Sequence, residues 1–314
     1  MSVPRLATAL AGLLLDLERR LLASQPETEC WLRGKWQEHA APFYCSVDLR
    51  NSGFKLAPVD TNLFPGGFNN LNLEFHPLCV QAGWTVRRKS NHFKKAYRQV
   101  AGEFAGHIGI DPWLINPLFE KCGKINIQER KGEECLEGYV AEILDDIRAK
   151  YREYGIQEEP FVIVKADAGT YGMGIMTVKD PSEVRGLNRR QRTRMAVVKE
   201  GLQVHEVMVQ EGVYTFESMD DAVAEPVVYM IDHFVVGGFY RVHTQRGKDQ
   251  NLNAPGMQFA PLAFAAPCSS PNPDDPGCPP NRFYAYGVIA RLALLAASIE
   301  LEAALEGEIP SIAA

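Results

Sequence analysis

The fold is decided by residues 161–178, FVIVKADAGTYGMGIMTV. Two short runs rich in β-branched residues, 161–166 and 175–178, flank a glycine-rich stretch, which predicts a β-hairpin. A glycine-rich tip lets backbone N–H groups approach a polyphosphate, and Lys165 on the first strand supplies a positive charge for it. The stretch matches neither the Walker A nor the dinucleotide-binding pattern. A plain hairpin with a flexible tip therefore stays open as an alternative.

Four further segments follow this hairpin in a fixed order. A basic helix is predicted over about residues 181–199, and then a strand ending at 210–213, QEGV, whose backbone could meet an adenine edge. A second hairpin, EPVVYMID and FVVGGFYRVHT, carries Arg241 and is predicted to have Gly237 and Gly238 near its turn. The turn NLNAPG follows at 251–256. Arginine can stabilise charge on a transferring phosphoryl group, and asparagine oxygens can coordinate Mg²⁺. An ordinary strand end, a surface salt bridge and a turn are the alternatives.

The N-terminal third contains a second polar segment. Leucines at helical spacing over residues 6–21 predict an amphipathic helix, and the block 44–74 is predicted to be turn-rich. A site for a zwitterion needs an arginine for the carboxylate, here Arg50, and acceptors for the ammonium group, here Asp60 or Asn62. The predicted substrate residues are Asp48, Arg50, Lys55, Asp60, Asn62, Asn69 and Asn70. A loop whose side chains only hold its own backbone is the alternative.

The patterns together predict an α+β protein in three parts. Residues 1–115 form an N-terminal α/β substrate domain, and residues 116–160 form a linker followed by a helix over 133–154. Residues 161–314 form a two-lobed nucleotide-binding region with antiparallel sheets and end in a helix over about 284–305.

Composition argues against several classes of protein. The chain has 33 Lys+Arg against 39 Asp+Glu, a formal net charge of −6, which disfavours nucleic-acid and anionic-membrane partners. The basic run RRQRTR at 189–194 is interpreted as a solvated helix face. No uncharged apolar run reaches the length of a membrane span. Seven scattered cysteines predict reduced thiols in a cytoplasmic protein, with Cys268 and Cys278 as the pair to test for a disulfide.

Several long blocks of the sequence carry a resemblance to known families. The order of segments over 161–256 resembles the ATP-grasp ligases, particularly bacterial glutathione synthetases. Most of 1–305 is similar to the proteobacterial glutamate–cysteine ligases first recognised in acidophilic iron oxidisers. The blocks are VDLRNSGFKLAPVDTNLFPGGFNNL, KADAGTYGMGIMTV, VQEGVYTFE, YMIDHFVVGGFYRVHT and NLNAPGM. The resemblance implies an ATP-grasp-like fold around ATP and Mg²⁺, and formation of γ-glutamylcysteine from glutamate and cysteine through a glutamyl phosphate.

The resemblance also implies roles for individual residues. Arg241 and Lys165 are the predicted catalytic residues. The predicted nucleotide-binding residues are Lys165, Gly169, Thr170, Tyr171, Gly172, Gly174, Gln210, Glu211, Val213 and Glu217. The predicted metal ligands are Asn251, Asn253 and Glu300. ATP-grasp enzymes usually place their acidic ligands on late strands, whereas Glu300 and Glu302 lie in a helical pattern, so Glu225 and Asp232 are alternatives.

The expected partners are the small molecules glutamate, cysteine and ATP, with neither nucleic acid nor membrane, and a homo-oligomer is left open. Two other functions are alternatives: another ATP-grasp amino-acid ligase, such as a glutathione synthetase-like enzyme, or a non-catalytic protein that binds a nucleotide or an amino acid.

Overall fold

The computed structural model describes residues 6–8, 11–63, 93–123, 125–126, 129–166, 175–187, 192, 207–261 and 282–308. The α-helices in this part are α1 (Leu13–Ala23), α2 (Gln25–Glu38), α3 (Phe93–Ile108), α4 (Glu133–Tyr154) and α5 (Arg282–Glu308). The strands are β1 (Leu6–Ala7), β2 (Tyr44–Asn51), β3 (Leu56–Asn62), β4 (Phe119–Cys122), β5 (Val162–Ala166), β6 (Ile175–Val178), β7 (Val207–Glu211), β8 (Ser218–Met219), β9 (Ala222–Ile231), β10 (Phe234–His243) and β11 (Gln258–Pro261).

The chain forms two compact units. Unit 1 comprises Met1–Asn116, Tyr214–Lys248 and Gly256–Ala314, and unit 2 comprises Pro117–Val213 and Asp249–Pro255. The first boundary lies close to the predicted end of the N-terminal domain, but later segments of the chain return to unit 1. The three-part division of the sequence stays a prediction about which segments serve the substrate and which serve the nucleotide.

Unit 1 is built on an antiparallel sheet in the order β1-β8-β9-β10-β11, with β2 also paired to β9 and β3 paired to β2. One face of this sheet is apolar, and its residues pack in one core with residues of α1, α3 and α5. The apolar face includes Cys45, Val47, Leu49, Val228 and Met230, each fully buried. Because side chains alternate along a strand, the neighbouring residues of β2 and β9 point to the opposite face.

Helix α5 is apolar on all sides, which is the pattern of a helix enclosed by a core. Its segment Arg282–Ala303 is long and apolar enough to cross a membrane, but 83% of the apolar stretch within it is buried in the protein. This burial explains the composition without a membrane.

Unit 2 contains a four-stranded antiparallel sheet in the order β4-β7-β5-β6. The hairpin predicted at 161–178 is confirmed by the pairing of β5 with β6, from Val162 opposite Val178 to Lys165 opposite Ile175. Helix α4 is also confirmed, with Leu136, Val140, Ile143, Leu144 and Ile147 buried along one side.

Four local predictions are wrong. The N-terminal helix begins at Leu13 rather than near residue 6, because Leu6–Ala7 pair with β8. The block predicted to be turn-rich contains the paired strands β2 and β3. The described part of the predicted basic helix opens with a 3₁₀ turn, Pro181–Val184. Gly237 lies within β10, and the hairpin turn is at Asp232 and His233 instead.

Four cysteines in the described residues, Cys30, Cys45, Cys122 and Cys135, are free thiols, as the sequence predicts. Cys268 and Cys278, the pair considered for a disulfide, lie outside the described residues.

Gly212 offers a test of the packing of unit 2. Its N–H donates to the carbonyl of Phe161 (2.8 Å), and a Cβ added here would lie 2.1 Å from the Phe161 ring. We expect Gly212→Ala to lower the free energy of unfolding by about 1–3 kcal/mol, because the buried ring must shift. Urea unfolding measures the change. Gly138→Ala, on an exposed part of α4 with nothing within 4 Å, is the control and should not destabilise. Equal effects of both substitutions would contradict the packing.

Candidate active site

Four charged side chains meet on the face of the unit 1 sheet opposite the helices. Asp48 and Arg50 lie two residues apart on β2, and Asp48 is opposite Val227 of β9. Glu225 lies two residues from Val227, and it is directly opposite Arg241 of β10. Cross-strand partners and residues two apart share a face, so the register alone brings the four together.

These four residues, named the Arg241 cluster here, are joined by ion pairs. The Arg241 guanidinium donates through Nη1 to Asp48 Oδ2 (2.8 Å) and to Glu225 Oε1 (2.6 Å). Arg50 donates through Nε to Glu225 Oε2 (3.1 Å). Exposure is 5% for Asp48, 6% for Arg50, 2% for Glu225 and 8% for Arg241, so the charges are held almost out of water.

Two polar atoms of the cluster are not used by the fold. In the described part of the chain, Arg241 Nε and Asp48 Oδ1 are buried and have no hydrogen-bond partner. Leaving a buried donor or acceptor unsatisfied costs about 1–3 kcal/mol, and more for charged groups. An unmatched donor beside an unmatched acceptor suits a ligand that carries both a carboxylate and an ammonium group.

Burial and neighbouring charges set the protonation of the cluster. Burial raises the pKa of Asp48 to about 6, with Asp60 and Glu225 adding to the rise and Arg241 opposing it. Burial works against the charge on Arg241, but the Asp48 and Glu225 carboxylates prevail and raise its pKa. Arg241 is therefore a permanent cation, whereas Asp48 can exchange a proton near neutrality.

The other predicted substrate residues have different surroundings. Asp60 is opposite Asp48 on β3 and is exposed, and Asn62 is opposite Ser46. Lys55 is fully buried, with its Nζ 4.4 Å from the centre of the Trp113 ring, on which Phe54 stacks. Asn69 and Asn70 lie outside the described residues.

Sequence reasoning missed the roles of Glu225 and Trp113 in unit 1. Glu225 entered only as an alternative metal ligand, and Trp113 was not considered. A cation beside an aromatic ring has no signal in a sequence, because residues 55 and 113 are distant along the chain.

Two of the predicted nucleotide-binding residues share a face of the unit 2 sheet. Lys165 is opposite Met208, and Ile163 is opposite Gln210, which places Lys165 and Gln210 on the same face. Gln210 is 3% exposed, and its side-chain oxygen has no hydrogen-bond partner among the described residues. The glycine-rich tip, with Gly169, Thr170, Tyr171, Gly172 and Gly174, lies outside the described residues.

Other predicted nucleotide-binding residues are engaged in the protein itself. Glu211 is buried, and its Oε2 accepts from the Leu118 N–H (2.8 Å). Val213 is buried. Glu217 Oε1 accepts from the Tyr286 hydroxyl (2.5 Å) and the Thr8 hydroxyl (2.8 Å) within unit 1. These hydrogen bonds do not support the prediction that Glu217 binds the nucleotide.

In the part of the chain that is described, no group of three or more His, Cys, Asp or Glu side chains could hold a metal ion. Asn251 Oδ1 accepts from the Asn253 N–H (2.9 Å) in a local turn of unit 2, whereas Glu300 belongs to α5 of unit 1. The alternatives are also engaged, Glu225 by two arginines and Asp232 by His233. The assignment of Asn251, Asn253 and Glu300 as metal ligands therefore stays a prediction.

A buried cluster of paired charges with a carboxyl of raised pKa marks a candidate functional site. The family model described as GshA, glutamate-cysteine ligase, matches residues 18–82 and 79–301. The chain belongs to this glutamate–cysteine ligase family, and its function is the ATP-dependent joining of glutamate to cysteine.

A solved structure agrees with this assignment. It is a proposed γ-glutamylcysteine synthetase from Methylobacillus flagellatus KT, 48% identical to this chain, with a TM-score of 0.83. The match covers 97% of this chain and 100% of that chain. The comparison with curated proteins gives no significant match.

Removing Glu225 tests the energetics of the cluster. We expect Glu225→Gln to lower the free energy of unfolding by about 3 kcal/mol, because two buried guanidinium groups lose their shared counter-ion. Urea unfolding at neutral pH measures the effect. The exposed Glu158 gives the matched control, since Glu158→Gln should change stability by no more than about 0.5 kcal/mol. A Glu225 variant as stable as this control would contradict the ion pairs.

The raised pKa of Asp48 predicts a pH-dependent stability. Its folded-state pKa, about 6, lies above the ordinary value of 3.8, so its contribution to stability is fully present below 3.8 and is lost as the pH rises through 6. We expect the difference in free energy of unfolding, wild type minus Asp48→Asn, to fall as the pH rises from 4.5 to 7.5. Urea titrations at several pH values measure this difference. A difference that does not change with pH would refute the shift.

Proposed function

We propose that the Arg241 cluster binds the amino-acid substrates of the ligase reaction. The observation that carries this is the buried pair of unmatched atoms, the donor Arg241 Nε and the acceptor Asp48 Oδ1. Glutamate and cysteine each bring a carboxylate and an ammonium group, which supply the missing acceptor and donor. Arg50 within the cluster and Asp60, which lies opposite Asp48 on β3, are assigned to the same substrates, with Asn62 two residues from Asp60.

Charge balance supports this binding mode. The cluster contains two arginines and two carboxylates, so it is neutral when all four are ionised. Cysteine, with one carboxylate and one ammonium group, adds no net charge to a buried site, whereas glutamate adds one negative charge, that of the γ-carboxylate that reacts. Burying an unpaired charge would instead cost several kcal/mol.

Catalysis in this proposal comes from positioning and fixed charge. ATP phosphorylates the γ-carboxylate of glutamate, and the amine of cysteine then displaces phosphate from the acyl phosphate. Arg241 stays protonated and stabilises negative charge on the transferring group or on the tetrahedral oxyanion. The reaction needs no covalent protein nucleophile.

The nucleotide is assigned to unit 2 in an ATP-grasp manner. Lys165 and Gln210 share a sheet face beside the β5–β6 hairpin, and the unmatched side-chain oxygen of Gln210 suits a donor on a bound base. Magnesium enters as part of the nucleotide substrate, and Asn251, Asn253 and Glu300 stay predictions. The quoted sequence blocks support the proteobacterial type within the family, and the free thiols support a cytoplasmic location.

ADP formation tests the function. The wild-type protein should release ADP with glutamate and cysteine together and much less with either alone. We expect Arg241→Lys to lower kcat by about 10²-fold or more, because lysine lacks the planar fork that reaches both carboxylates and substrate. The lysine variant is chosen because Arg241→Ala would leave two buried carboxylates without their arginine.

Arg19→Lys is the matched control, because Arg19 is exposed and pairs only with the neighbouring Asp16 in the described contacts. It should keep full activity. Near-normal turnover in the Arg241 variant would remove Arg241 from the mechanism.

A further inference from the structure

We propose that Asp48 is the proton acceptor for the attacking amine of cysteine. This inference rests on the proposed function of the Arg241 cluster. Its basis is the geometry of one carboxylate, in which Oδ2 accepts from Arg241 and Oδ1 is buried with no partner in the described residues. The fold uses one oxygen of Asp48 to hold the side chain in place and leaves the other for a ligand.

Charged groups face Asp48 from each neighbouring strand. Asp60 lies opposite on β3, Glu225 lies on β9, and Arg241 lies on β10. Arg50 lies two residues along β2 and pairs with Glu225. Asp48 is thus fixed by one cation but surrounded by two further carboxylates, which favour its taking up a proton.

The chemistry of the reaction requires such an acceptor. The α-amino group of a free amino acid is largely protonated near neutral pH, so cysteine binds mainly as the ammonium form, which has no lone pair for attack. An effective general base has a pKa near the working pH. Burial raises the pKa of Asp48 to about 6, which leaves it ionised at pH 7.5 yet able to hold a proton.

The step balances as follows. The ammonium group of cysteine gives one proton to Asp48 Oδ1, and the freed lone pair forms the C–N bond to the γ-carbonyl carbon of glutamyl phosphate. The C–O bond to phosphate breaks, and its electron pair leaves with phosphate. The nitrogen gives its second proton to the departing phosphate, and Asp48 returns its proton to solvent.

Asp48 would also be essential for activity if it served only as the counter-ion of Arg241. The test must therefore separate the role of base from the role of counter-ion. Hydroxylamine can replace cysteine as the attacking nucleophile. It is largely unprotonated at neutral pH, so its attack needs no base. Wild-type protein and Asp48→Asn are compared for ADP formation with glutamate plus cysteine, and for hydroxamate formation with glutamate plus hydroxylamine. Circular dichroism confirms that the variant is folded.

We expect Asp48→Asn to lose about 10²-fold or more of its turnover with cysteine while keeping turnover with hydroxylamine within a few-fold of wild type. An equal loss of turnover with cysteine and with hydroxylamine would overturn the assignment of Asp48 as a base. Wild-type protein that forms the peptide but no hydroxamate would also overturn it. Wild-type protein that forms neither product would instead overturn the proposed function of the cluster.

A second variant keeps the test independent of the folding of Asp48→Asn. Asp60 is exposed, and Asp60→Asn removes one of the carboxylates that favour proton uptake by Asp48. The acid limb of kcat/KM for cysteine should move measurably to lower pH, by up to roughly 1 unit. Asp221→Asn, at an exposed turn of unit 1, should leave the limb in place. An unmoved limb in Asp60→Asn would contradict the proposal.

Discussion

Two β-bulges determine which charged side chains meet in unit 1. The ladder between β9 and β10 shifts between Val235 and Gly237, and the ladder between β2 and β3 shifts between Asp48 and Leu49. Without the first shift, the register at Phe234 and Ile231 would place Arg241 opposite Ala224 instead of Glu225. A one-residue slip moves a side chain to the other face of a sheet. Gly237 has a φ of 151°, a conformation that glycine adopts most readily.

The Arg241 cluster, in which the β9–β10 bulge places Arg241 opposite Glu225, is a poor way to gain stability. Buried ion pairs lose as much in desolvation as they gain in attraction, and apolar residues of similar size would often serve the fold equally well. The unmatched Arg241 Nε and Asp48 Oδ1 add a further cost. Such local costs are a feature of functional sites, where the missing partner is a ligand. The neutral sum of the four charges fits a zwitterion better than a simple anion or cation.

Local patterns were enough to predict part of this molecule. The hairpin at 161–178 and helix α4 follow from alternation and helical spacing within short windows, and Asp48, Arg50 and Arg241 follow from residue chemistry and resemblance. Strand β3 could not be found in this way, because Pro58, Asp60 and Asn62 are uncommon in strands and only pairing with β2 overrides that preference. The pairing of Arg241 with Glu225 depends on a bulge that no short window contains.

The separation of Asp48 and Arg241 along the chain has a further consequence for the organisation of the molecule. The two residues are 193 positions apart, and the sequence alone assigns them to different domains, yet both belong to unit 1. A segment ending near residue 115 contains β2 and β3 but neither β9 nor β10, so it would expose the edge of β2 and leave Asp48 without its arginine. The Arg241 cluster therefore depends on the returned chain, because it requires residues 214–248 beside the N-terminal strands.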